Sequence, residues 1–147
     1  MAVACDVRYC SADARFCVKE VDLAITADIG TLQRLPTLVG HGVATEMALT
    51  ARVVGAEEAK AIGLVTEVAP DAAALEAAVA ERAKALAAKS PLAVQGTKQA
   101  MLHARDHSVG DGLEFVAMMN SARLTSEDLS EAMSAKFARR APTFSKL

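Results

Sequence analysis

The stretch FCVKEVDLAITADIGTLQRLP, residues 16–36, decides how the rest of the chain is read. It opens on an apolar run, Phe16, Cys17 and Val18, which reads as a strand about to leave a sheet. Two carboxylates follow at a spacing of eight, Glu20 and Asp28, with Asp22 between them. Ala27, Ile29 and Gly30 flank Asp28, so the pattern places this acid in apolar surroundings. Desolvation at such a position favours the neutral acid, a form suited to proton transfer. After Gly30, the run Thr31-Leu32-Gln33-Arg34-Leu35 reads as a helix that Pro36 soon interrupts. Acids near strand ends also serve as solvated caps of the next helix, and residue types alone leave both readings open.

Working outward, 147 residues make one domain's worth of chain or part of one. The 52% hydrophobic content supplies a core, although much of it is alanine, and aromatics are sparse at four Phe, one Tyr and no Trp. Sixteen basic residues against 18 acidic ones leave a net charge of −2, which gives no electrostatic footprint for nucleic acid. No window approaches the roughly 18 apolar residues of a membrane helix, and no basic segment followed by an apolar one opens the chain. Cys5, Cys10 and Cys17 match no zinc spacing and read as reduced, packed thiols of an intracellular protein. His103 and His107 lie four apart with no third ligand nearby, so no metal and no cofactor is expected, and His41 between Gly40 and Gly42 reads as a turn residue. The chain ends Ser145-Lys146-Leu147, the tripeptide a peroxisomal import receptor reads from a free carboxyl end, which gives a peroxisomal expectation.

Before the central stretch, Val3, Cys5 and Val7 alternate with Ala4, Asp6 and Arg8 and read as a strand, with a turn at residues 11–14 and a returning strand over 15–19. Asp6 beside Arg8 reads as a strand-surface ion pair. After it, short helices are expected around residues 43–50 and over 56–62, the second closed by Gly63, and then a brief strand of Leu64, Val65 and Val68 closed by Pro70. Asp71 caps a long alanine-rich helix, Ser90-Pro91 starts another, and Ser108 with Asp111 forms a capping box for a third. Thr125 with Asp128 is expected to cap the last helix, which runs to about Arg140.

Glu20 followed by Gly30, Gln33, Arg34 and Leu35 resembles the enoyl-CoA hydratase/isomerase (crotonase) superfamily, which reads P-E at this point and then G-x-x-Q-R-L. Residues 46–52 and 56–70 are similar to two further segments of that family. Its hydratases carry glycine eight places after the glutamate, whereas Asp28 stands here, and K-E-V-D…A-D-I-G-T-L-Q-R-L-P resembles the Δ3,Δ5-Δ2,Δ4-dienoyl-CoA isomerase branch. The resemblance implies an α/β crotonase-type (ClpP/crotonase) fold. Residues 1–70 would form the C-terminal part of the spiral catalytic core, and residues 71–147 a helical trimerisation region of a homo-trimer or hexamer.

By the family's spacing the oxyanion hole and a third acid fall upstream of Met1, so little or no activity is expected of these 147 residues alone. The implied substrate is a fatty acyl-CoA, with Glu20 and Asp28 as the proton-transferring pair that converts a 3,5-dienoyl-CoA to a 2,4-dienoyl-CoA in β-oxidation. The tail resembles the family's K-R-x-P-x-F ending, in which the first basic residue, here Arg139, approaches CoA phosphates; a basic turn favourable to the helix dipole accounts for it equally. Two other readings stand beside the isomerase: a 2-enoyl-CoA hydratase of the same fold, and a non-catalytic truncated module that assembles through its C-terminal helices. Assembly without acyl-CoA binding, measured as a solution mass beside a binding titration, would separate the last from the enzymes.

Overall fold

Val54 has no exposed surface and Met47 is 1% exposed, and the first part of the molecule is arranged around them. The structure, a computed structural model, describes residues 2–145 and divides into two units at Ala80 and Glu81.

In the first unit a 3₁₀ turn, Ala2–Ala4, precedes strands β1 (Tyr9–Ser11) and β2 (Arg15–Phe16). A second 3₁₀ turn, Glu20–Leu23, leads to helices α1 (Thr31–Val39) and α2 (His41–Thr50). Strand β3 (Val54–Gly55), helix α3 (Ala56–Ala61) and strand β4 (Glu67–Ala69) follow. The expected first strand is not formed. Cys5 and Val7 are exposed, Cys5 N–H turns back to the Ala2 carbonyl at 3.1 Å, and the Arg8 guanidinium binds the carbonyls of Cys5 and Leu64. Alternation marks a strand only where one face meets a core, and here only Val3 is tucked in, against the partners of α1.

Nor do β1 and β2 pair with each other across their turn. β1 pairs in parallel with β4, Tyr9 opposite Glu67 and Ser11 opposite Ala69, while β2 pairs antiparallel with β3, Phe16 opposite Val54. An aromatic ring beside the fully buried β-branched residue outweighs the local hairpin.

α1 runs through Pro36 rather than stopping at it. Proline removes one hydrogen bond from a helix interior, but Leu35 and Val39, four apart on one face, are both buried and hold the last turn in place. Gly30 starts α1 at φ 85°, and Arg34 folds back so that Nη1 donates to the Gly30 carbonyl at 3.2 Å and the Ile29 carbonyl at 3.4 Å. α2 packs on α1 and buries Ala44 and Met47. His41 is its first helical residue rather than part of a turn, its Nδ1 3.2 Å from Thr45 Oγ1. Arg52 then ties α2 to α3, with Nε 3.1 Å from Glu46 Oε2 and Nη1 2.7 Å from Glu58 Oε1.

Helix α4 (Ala72–Ala87) crosses the division between the units and buries none of its residues; Asp71 Oδ1 accepts from Ala74 N–H at 2.8 Å at its start. The second unit then comprises α5 (Pro91–His103), α6 (Val109–Arg123) and α7 (Glu127–Phe137). Ser90 caps α5 by accepting from Ala93 N–H at 3.1 Å, and Ser108 and Asp111 form the reciprocal capping box of α6. α7 is capped by Ser126, not Thr125. Asp128 is held by the Ser90 hydroxyl at 2.5 Å, so it is not the reciprocal partner a Thr125 box needs, and Thr125 Oγ1 donates back to the Ala122 carbonyl. Between α5 and α6 the His103 ring stacks on His107 at 3.7 Å and on Phe115 at 4.3 Å. The His103 carbonyl and the Asp106 carboxylate beside His107 Nδ1 raise the pKa of that ring above its ordinary value.

α7 ends in a reversal. Arg139 adopts φ 52°, with Arg139 N–H to the Lys136 carbonyl and Arg140 N–H to the Ala135 carbonyl at 3.2 and 3.0 Å, the paired bonds of a Schellman motif with arginine where glycine is usual. Arg140 then grips Glu131 through both guanidinium nitrogens at 2.5 and 2.7 Å, and Thr143 N–H adds a third bond to that carboxylate at 2.7 Å.

The Arg140 hydrogen bonds, followed by that of Thr143, pull the Glu131 pKa down to about 2 from an ordinary 4.5. A carboxylate depressed on folding stabilises the fold fully above its unfolded pKa and loses that contribution as pH falls through its folded one. Glu131→Gln should therefore lower the thermal midpoint at neutral pH, with the difference from the parent closing between pH 4.5 and 2. A gap that persisted at pH 2 would show the carboxylate charge to be irrelevant. Gly30→Ala meets both a left-handed φ and the Arg34 guanidinium, which lies where the new Cβ would go. It should cost about 1–2 kcal/mol from the backbone alone; urea unfolding of Gly30→Ala and of Gly30→Ala with Arg34→Ala should show the double variant only partly recovered.

Candidate active site

From the end of β2 into α1 the chain is pinned at three apolar points, Val18, Ala27 and, within α1, Leu35, all buried. The residues between these anchors are lifted to the surface. Leu23, Ile25 and Ile29 are 67%, 55% and 65% exposed, a run of apolar side chains with Glu20 and Asp28 set among them. Glu20 opens the 3₁₀ turn and is half-buried, and its carbonyl accepts from Ile25 N–H at 3.2 Å. The turn is closed by Ala24 at φ 57°, a left-handed conformation that alanine rarely adopts and that nothing in the residue types announces.

Asp28 lies in the irregular segment before Gly30 and is exposed. The apolar enclosure expected around it is therefore not provided by the described residues. Ala27 alone turns into the core here, and Asp28 and Ile29 after it are both left in solvent. Lys19 Nζ donates to the Asp22 carboxylate, and this bond raises the lysine above its ordinary pKa. Asp22 is thus engaged locally. Among the described residues neither Glu20 nor Asp28 forms an ion pair. Arg34, which the residue pattern marked only as part of a motif, has a physical task, since its guanidinium fastens the carbonyls that immediately follow Asp28.

Both carboxylates thus belong to one short segment of the first unit, eight residues apart and outside regular helix or strand, on a loop whose ends are fixed by core packing. A cavity of 250 Å³ between α1 and α2 is lined by Leu32, Leu35, Ala44, Ala48 and Leu49, with His41 and Thr45 at its polar side; neither carboxylate lines it. Arg139 belongs to the second unit. Ser145 is exposed, whereas Lys146 and Leu147 lie outside the described residues. Among the described residues no cluster of three or more His, Cys, Asp or Glu could hold a metal ion, and no helix is long and apolar enough to cross a membrane. The three cysteines are free thiols, and of these only Cys10 is buried; Cys17 is exposed, with Sγ 2.9 Å from the Ala51 carbonyl.

Residues 1–146 match the family model of enoyl-CoA hydratase/isomerase. A peroxisomal Δ(3,5)-Δ(2,4)-dienoyl-CoA isomerase of Arabidopsis thaliana is 53% identical over the whole of this chain and 53% of its own length. A mitochondrial enzyme of the same name from Dictyostelium discoideum is 44% identical over 98% of this chain and 49% of its own. Among solved structures, an enoyl-CoA hydratase from Bacillus anthracis superposes with a TM-score of 0.92 at 33% identity, covering 97% of this chain and 55% of that one. The chain thus spans about half the length of the curated relatives it matches. The expected α/β crotonase-type fold is borne out by these superpositions, and the chain belongs to the enoyl-CoA hydratase/isomerase family.

Proposed function

We propose that this chain forms part of an acyl-CoA isomerase that converts 3,5-dienoyl-CoA to 2,4-dienoyl-CoA, with Glu20 and Asp28 as its proton-transferring carboxylates. The observation that carries the reading is the 53% identity, over every residue of this chain, to a relative named for that reaction, combined with an acid at position 28 of the loop that also holds Glu20. One carboxylate, ionised, removes a proton from C2. The electron pair spreads through the conjugated system onto the thioester oxygen as an extended enolate. The other carboxyl group, protonated, delivers a proton to C6 as the double bonds settle at C2 and C4; the two groups end with their protonation states exchanged, and proton exchange with solvent restores them for the next turnover. Such a pair must be held apart so that the two groups do not share one proton. Anchoring at Val18, Ala27 and Leu35, with the Arg34 clamp behind Asp28, supports that demand, because the loop between the two acids is fixed at both ends. The exposed Leu23, Ile25 and Ile29 beside them suit an apolar acyl chain.

Arg139 fits a phosphate-binding role in the same proposal. It stands just past the end of α7 at φ 52°, and its forked guanidinium donors suit phosphate oxygens. Self-association through residues 71–147 is part of the reading and is supported by the exposure of Phe137 and Val109 on the second-unit helices. Delivery to peroxisomes through Ser145-Lys146-Leu147 agrees with the peroxisomal relative from Arabidopsis, although the relatives from Dictyostelium and Homo sapiens are named mitochondrial. A 2-enoyl-CoA hydratase is the second reading, favoured by the hydratases among the structural neighbours.

Asp28→Gly in the whole protein separates the two. The isomerase reading expects isomerisation of a 3,5-dienoyl-CoA to fall about 10²–10⁴-fold, as for loss of a general acid–base group, and any hydration of a 2-enoyl-CoA to survive; isomerisation within error of the parent would defeat it. Removal of the last three residues should shift a fluorescently tagged protein from peroxisomes to the cytosol, with the tag at the N-terminus; peroxisomal signal that remained would end the targeting proposal.

A further inference from the structure

Within the second unit, α5, α6 and α7 enclose a groove of 440 Å³ whose walls are mainly Leu92, Met101, Val116, Met119, Leu124 and Leu129. Arg123 enters this apolar groove from the last turn of α6. Its Nη1 donates to Met119 Sδ at 2.8 Å and its Nη2 to Gln99 Oε1 at 3.1 Å, and among the described residues no carboxylate pairs with it. A half-buried guanidinium that uses one donor on a thioether and one on a neutral amide has further N–H donors left for an anionic ligand.

The helix opposite is shaped for it. Gly96 is buried in the middle of α5, where glycine costs about 1 kcal/mol relative to alanine, and a Cβ there would collide with Arg123 Nη1. The glycine therefore opens the space in which the guanidinium lies. The other charged residue of the groove, Asp128, has its carboxylate engaged by the Ser90 hydroxyl at 2.5 Å, and it forms no ion pair with Arg123. The two charged groups of the groove are each engaged by neutral partners, Asp128 by the Ser90 hydroxyl and Arg123 by Met119 and Gln99.

We propose that this groove binds a straight-chain fatty carboxylate, with its alkyl body along the Leu92, Met101 and Val116 walls and its carboxylate on the two Arg123 nitrogens. A forked guanidinium matches a carboxylate in two-point geometry, and the apolar walls with one cationic end select an amphiphile with a single terminal anion over a uniformly polar or uniformly apolar ligand. The site rests on the second unit alone and holds whether or not the dienoyl-CoA assignment does.

The test titrates the full chain, ¹⁵N-labelled, with decanoate and separately with decan-1-ol, and reads amide and Arg Nε shifts together with solution mass. Decanoate should bind with shifts centred on Gly96, Ala100 and Arg123, and decanol more weakly. Arg123→Gln should weaken decanoate about tenfold, the loss of a charged hydrogen-bonding partner, and leave decanol unchanged. Ala100→Phe, which fills the groove without touching the charge, should abolish both, with circular dichroism confirming that each variant is folded. Equal affinity for acid and alcohol, an Arg123→Gln variant that binds decanoate like the parent, or a groove closed to both ligands because a second copy of the chain occupies it would each overturn the proposal.

Discussion

Three residues of parallel pairing, Tyr9–Ser11 against Glu67–Ala69, hold the first unit together across a separation of 58 positions. A parallel pair cannot be closed by a tight turn, so everything between the two strands must be spent on the crossover. That crossover contains β2, the carboxylate loop, α1, α2, β3 and α3. Closing so long a loop carries an entropic cost that grows only logarithmically with its length, and burial of Met47, Val54, Leu35 and Leu64 inside it supplies the offset. The carbonyl of Arg8 and that of Ala69 extend the seam at either end by accepting from Thr66 and Ala12 N–H at 2.9 and 2.8 Å. The acids ride on a segment whose two ends are fixed by the same packing that permits the strands to meet.

Arginine recurs as the residue that closes irregular backbone. Arg8 gathers the carbonyls of Cys5 and Leu64, Arg34 those of Ile29 and Gly30, and Arg140 the carboxylate of Glu131 where the chain leaves α7. Arg52 does the same between α2 and α3 with two glutamates. The guanidinium has five donors in a planar fork and can satisfy two acceptors at once, which suits places where helix ends and turns leave carbonyls without partners. Arg123 departs from this habit. It spans a thioether and a neutral amide, and that difference marks its groove from the other arginine sites.

Exposed apolar surface is distributed unevenly in function as well as in position. On the first unit part of it lies on the carboxylate loop, in Leu23, Ile25 and Ile29, and part elsewhere, in Val7, Leu49 and Val53. On the second it follows the outward faces of α6 and α7, in Leu113, Met118 and Phe137. A chain that spans about half of its relatives' length carries both.

Much of the local punctuation was readable from residue types alone, because caps and helix ends depend on neighbours within one turn. Ser90 with Pro91, the Ser108–Asp111 box, Asp71 and the helix closed before Gly63 all behave as short-range chemistry requires. The family motif was also legible, since Gly30 and Arg34 act on each other across a single helical turn. What failed depended on partners far along the chain. Val3, Cys5 and Val7 alternate like a strand but meet no sheet, and β2 leaves its sequence neighbour for Val54. α1 continues past Pro36 because buried Leu35 and Val39 outweigh one lost hydrogen bond, and α7 shifts its cap to Ser126 once Ser90 has taken Asp128. Asp28 makes the same point at the candidate site: its flanking residues are apolar, but their direction, inward for Ala27 and outward for Ile29, is set by the core and not by their names. The order of residues thus determined which turns and helix ends form and which family the chain joins. Only the tertiary structure decided which strands meet, which side chains are hidden and where the two acids face, because burial is a property of the assembled core and not of any window of sequence.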